Sequence, residues 1–206
     1  MRSRVVAVSG PGLLAFLATP ALAHHVMDGR LPATFVDGFL SGLGHPVIGL
    51  DHLAFVVAVG IAVGVLGASL ALPGLLVAAS IAGVLVHTGA VDLPGGELLV
   101  AGSVVAAGLL IAAGGTVPRL AWMILFAVGG VVHGYAFGES IVGADRAALG
   151  GYLTGLAIVQ AALATGIALA ARARLTTSRT AALVPRLAGA AIAAVGVFFA
   201  AAGMLV

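Results

Sequence analysis

His45, Asp51 and His52 stand within HPVIGLDH, at the mouth of an apolar run that continues through Leu66. An ionisable side chain at membrane depth costs about 2.5–3.5 kcal/mol on insertion scales. Three of them within eight residues therefore imply chemistry, and imidazoles beside a carboxylate suit a divalent transition metal. Seven residues put the two imidazoles on one helical face but about 10.5 Å apart along the axis. Metal–nitrogen bonds are about 2.0–2.1 Å, so one ion takes both rings only if the helix is broken between them. Pro46 and Gly49 allow such a break. The alternative is two successive stations on one path. Asp51 either orients a ligating imidazole or ligates directly.

The remaining candidates are His24, His25, His87, His133 and Glu139. His24 and His25 follow a stretch that reads as a cleavable signal peptide over 1–23. Arg2 and Arg4 form its basic start, 5–18 its apolar middle and Ala21-Leu22-Ala23 its cleavage site. Processing would expose an amine at His24. That amine, the amide nitrogen of His25 and its imidazole would give planar nitrogen ligation suited to Ni(II) or Cu(II).

These residues must be positioned by membrane helices. The chain of 206 residues is 62% hydrophobic and 8% charged, which is the composition of a polytopic membrane protein. We expect an all-α membrane protein, a six-transmembrane-helix bundle forming one domain over 24–206. Its apolar segments lie near 45–66, 71–90, 96–114, 118–138, 147–171 and 187–206. Cysteine is absent, which excludes thiolate sites and Fe–S clusters; lysine is absent too, which excludes a P-loop. The net charge of +2 comes from a few arginines in short loops and at the N-terminus and is no nucleic-acid footprint.

With the mature N-terminus outside, Arg119, Arg172, Arg174, Arg179 and Arg186 fall on the cytoplasmic side, against Arg30 and Arg146 outside. This agrees with the positive-inside rule and predicts an inner-membrane protein with a periplasmic N-terminus. All six histidines then lie toward the external side. Each has a plainer reading. His87 could be an interfacial hydrogen-bonding residue. Asp92 and Glu97 read as solvated loop groups, and Trp122, Tyr135 and Tyr152 as members of interfacial belts. The glycine pairs Gly60/Gly64, Gly134/Gly138 and Gly151/Gly155 suit close helix packing, within one bundle or across a dimer seam.

The stretches HPVIGLDHLAFVVAVG, VHGYAFGES and HHVMDGRLP resemble the HupE/UreJ family of hydrogenase- and urease-accessory nickel permeases. His45, Asp51 and His52 carry its H-x5-D-H motif; His133, Gly134 and Tyr135 carry its second motif, in which the family often has another His where this chain has Phe137. HHVMDGRLP is also similar to the mature start of CbiM/NikM-type cobalt and nickel transport proteins, where the terminal amine and second-residue histidine bind metal; His24 and His25 would take those parts. The resemblance implies secondary uptake of Ni(II), with Co(II) or another divalent transition metal as lesser candidates, for a nickel-enzyme maturation system. It implies no permanently bound cofactor and no enzymatic activity. The residues alone leave open an intramembrane zinc hydrolase using Ser103 or Ser140, a haem-binding membrane protein, and a metal sensor.

Overall fold

Gly49 divides the expected first span in two. The computed structural model describes residues 30–65, 67–114, 117–175 and 183–204. Residues 1–29, and with them the expected signal peptide, lie outside the described residues. Among the described residues the elements are α1 (Phe35–Ile48), α2 (Leu50–Gly64), α3 (Leu72–Thr88), α4 (Gly96–Ala113), α5 (Arg119–Gly138), α6 (Arg146–Leu175) and α7 (Leu183–Gly203).

The expectation of one helix starting at 45 needs correction. Thr34 starts α1 eleven residues earlier, through a reciprocal capping box with Asp37. The helix ends where Gly49 turns extended, at φ −73° and ψ 105°, and α2 leaves at 79° to α1. Pro46 lacks a backbone N–H, and the His52 N–H turns to the Asp51 carboxylate at 2.8 Å. Both weaken the helical ladder around the bend.

The chain is an all-α, multi-pass membrane protein. α4, α5, α6 and α7 are each long and apolar enough to cross a bilayer, and the bent α1–α2 pair passes the same test as one broken span. α3 is a shorter apolar helix. Packing follows the glycines. A side chain at Gly60 or Gly64 would strike α6 at Ala164, Ile167 or Ala168; at Gly134 it would meet Ser80 of α3; at Gly151 or Gly155, the α1 backbone. All three small-residue pairs are thus spent on seams inside the bundle. α4 and α7 meet similarly through Gly108 and Gly189.

The two ends of the bundle differ in chemistry. At one end Arg172 donates to the Val63 carbonyl at the close of α2, Arg119 donates to Ser69, and Arg186 lies beside Gly114. The histidines gather toward the other. The aromatic residues expected at the interfaces are instead core: Trp122 is buried and stacks on Phe126, and Tyr135 and Tyr152 are buried. Both tyrosine hydroxyls have hydrogen-bond partners, which makes their burial affordable.

Candidate metal-handling site

The bend at Gly49 brings His45 and His52 to 5.8 Å between ring centres, where a straight helix would hold them about 10.5 Å apart. His45, Asp51 and His52 are buried, at 2%, 6% and 3% exposure. They line one pocket of about 350 Å³ together with His87, Glu139, Asp92, Glu97 and Tyr135. The site thus draws on α1, α2, α3, the loop before α4, α4 itself and the α5 end. Its lining includes four carboxylates and three imidazoles, and no arginine among the described residues. Such a lining concentrates dications.

The hydrogen bonds orient the imidazoles and favour one tautomer for each. Ser103 gives its hydroxyl proton to the Val100 carbonyl at 2.7 Å, so toward His133 its oxygen accepts. His133 Nε2–H therefore donates to Ser103 at 2.9 Å, and His133 Nδ1 carries a lone pair. That lone pair accepts from His52 Nδ1–H at 2.8 Å. His52 is left with its lone pair on Nε2, the atom a metal would use.

His45 repeats this logic. Tyr152 donates its hydroxyl proton to the Phe137 carbonyl at 2.8 Å, and Ser140 donates to the same carbonyl or to Tyr152. Both oxygens then accept from His45 Nδ1–H, at 2.8 Å and 3.1 Å, and its Nε2 keeps the lone pair. The His87 Nδ1–H is held by the Tyr135 carbonyl at 2.8 Å. Three pocket histidines are thus anchored through Nδ1, the arrangement by which proteins orient ligating imidazoles.

The expected residues separate into three groups. His45, Asp51, His52, His87 and Glu139 share the pocket. His133 sits behind it, stacked on Phe55 at 4.3 Å and bonded to His52. His24 and His25 lie outside the described residues. Asp92 and Glu97 are solvent-exposed, as expected, yet both line the pocket. Phe137 packs against both His45 and His52, at 5.1 and 4.4 Å. Among the described residues no three His, Asp or Glu side chains are gathered tightly enough to hold one ion.

Comparison with known proteins fits this geometry. The pattern of the HupE / UreJ protein family matches residues 13–199. The chain belongs to the HupE/UreJ family. It is also 32% identical over 187 residues to Protein HupE of Rhizobium leguminosarum bv. viciae, covering 89% of this chain and 92% of that protein. No solved structure matches. This HupE/UreJ chain therefore keeps its H-x5-D-H residues at the bend of a broken helix and its second-motif histidine directly behind them.

The hydrogen-bonding anchors behind the candidate residues were not legible in the sequence. Ser103, Ser140 and Tyr152 read there as nucleophile or belt residues, because spacing along a chain does not reveal hydrogen bonds between helices. The signal for Asp92 and Glu97 was available: Asp92 precedes and Glu97 opens the apolar segment that follows His87, at the end of the bundle where the other candidates were placed.

Proposed function

We propose that this protein is a secondary permease taking up Ni(II), with Co(II) as the second candidate, across a bacterial-type inner membrane for metalloenzyme maturation. The observation that carries this reading is the set of three pocket histidines, each hydrogen-bonded through Nδ1 to a residue of another part of the chain. Nitrogen donors of this kind suit nickel and cobalt. Loose grouping suits a cargo that must leave, since a closed ligand cage would trap it.

Taking α1–α2 as one broken span and α3 as another gives six spans, after a signal peptide cleaved behind Ala23. The histidine end then faces the periplasm and the arginine end the cytoplasm, in keeping with the positive-inside rule. The processed terminus, with the His24 amine and the His25 imidazole, captures the hydrated ion. The Asp92, Glu97 and Glu139 carboxylates draw it inward, and His45, His52 and His87 replace part of its water. The membrane potential favours inward movement of a dication. The hydrolase reading fits less well, because the Ser103 and Ser140 oxygens are held as acceptors of imidazole N–H.

Radionickel influx into liposomes holding the processed protein tests this. Influx should be saturable for wild type and fall to the empty-liposome level for His52→Ala; undiminished influx in that variant would defeat the proposal.

A further inference from the structure

Around and inward of the histidines the interior is built in layers. An outer apolar cluster contains Val84 of α3 and Leu156 of α6. An inner one contains Leu76 of α3 and Ala164 of α6. On each helix the residue midway between these, one turn from either, is polar: Ser80 on α3 and Gln160 on α6. Ser80 is 0% exposed and Gln160 is 1% exposed. Among the described residues, the Ser80 hydroxyl and both amide atoms of Gln160 have no hydrogen-bond partner.

Packing registers place Gln160 a turn inward of His52 and Ser80 level with His133. α2 and α6 run in the same direction, with Gly60 against Ala164 and Ile167, and Gly64 against Ala168 and Ala171. One turn earlier on both helices, Gln160 comes level with Val56, a turn inward of His52. Ser80 is fixed independently: its backbone abuts Gly134, the residue after His133. The His52–His133 pair, Ser80 and Gln160 thus fall within about one helical turn of one another along the bundle.

Buried polar atoms without partners are destabilising, and a chain retains them where something else engages them. We propose that Ser80 and Gln160 form an inner station for the partly hydrated dication as it leaves His52, a role that rests on the permease reading above. A hydroxyl and an amide carbonyl are neutral oxygen donors. They ligate nickel more weakly than imidazole and accept hydrogen bonds from its remaining waters, so the ion is passed on rather than held. The outer pocket then sets affinity and the inner station sets rate.

The test compares influx and binding in one preparation. Ni(II) influx is measured in liposomes, and Ni(II) titration by calorimetry is run on the same purified full-length protein. Gln160→Leu should lower maximal influx about tenfold or more, the loss expected when a hydrogen bond to a charged group disappears. Nickel affinity should stay within about twofold, because this substitution leaves the outer anchors intact. Ser80→Ala, which removes little volume, should give a smaller loss of the same kind and serves if Gln160→Leu unfolds at lower temperature than wild type. Wild-type influx in both variants would overturn the inner station while leaving the permease standing. Affinity falling in parallel with influx would also overturn it, by assigning these residues to the outer pocket. A wild-type protein that neither binds nor passes nickel would instead remove the permease reading itself.

Discussion

Ser103→Ala should weaken nickel binding without touching any ligand. In the native relay Ser103 accepts from His133 Nε2–H, and His133 Nδ1 accepts from His52 Nδ1–H. Alanine leaves the His133 Nε2–H without its acceptor in a residue that is 2% exposed. An unpaired buried donor costs about 1–3 kcal/mol. The pair escapes that cost by reversing, so that His133 Nδ1–H donates to His52 Nδ1. His52 then carries its proton on Nε2, facing the ion with a donor instead of a lone pair. Displacing the equilibrium by this amount lowers affinity about fivefold to a hundredfold, which matches the usual effect of losing a partner behind a metal ligand. Calorimetry measures the affinity, and nitrogen NMR of the histidine rings reports which nitrogen of His52 is protonated. Ser103→Thr retains the hydroxyl and should bind within about threefold of wild type, well short of the hundredfold an outer-shell loss can cost. Affinity unchanged in Ser103→Ala, with His52 still protonated at Nδ1, would refute the relay.

Three further outcomes follow from the same geometry. Replacing Pro46 and Gly49 together by alanine favours a continuous helix, since glycine alone disfavours helix by about 1 kcal/mol; it should separate His45 from His52, and nickel titration should show at least a tenfold loss of affinity, in line with losing a ligand's placement. Phe137→His sets a further imidazole where a ring now packs on both His45 and His52; it should tighten binding about tenfold or more while slowing influx, because tighter ligation retards exit. Gly134→Ala drives a methyl group into the Ser80 carbonyl oxygen, and thermal unfolding should reveal a loss of about 1–3 kcal/mol as α3 and α5 separate.

The residues that bear the motif were legible because ionisable groups are conspicuous in apolar sequence. His45, Asp51, His52, His87 and Glu139 all reach one pocket. The bend itself was legible as an option, since Pro46 and Gly49 weaken a helix locally, but its size depends on α1 packing along α6, a tertiary effect. α1 was missed because its sequence, FVDGFLSGLG, mixes polar and small residues with apolar ones; Gly38 and Gly42 are there to let α1 approach Ala148 and Tyr152 of α6. The tyrosines misled for a related reason. An amphipathic ring suits a membrane interface and a satisfied core site equally, and only the fold reveals that Tyr152 reaches the Phe137 carbonyl and His45. Ser80 and Gln160 gave no warning, because single uncharged polar residues in a long apolar helix are ordinary until their neighbours are known.

The most direct measurement of the central claim is X-ray absorption at the nickel edge on the nickel-loaded, processed protein. At least two imidazole nitrogens are expected in the nickel shell, at about 2.0–2.1 Å as for other imidazole–metal bonds, with His45→Ala and His52→Ala each removing one. A shell made only of oxygen, or one that both substitutions leave unaltered, would contradict the claim.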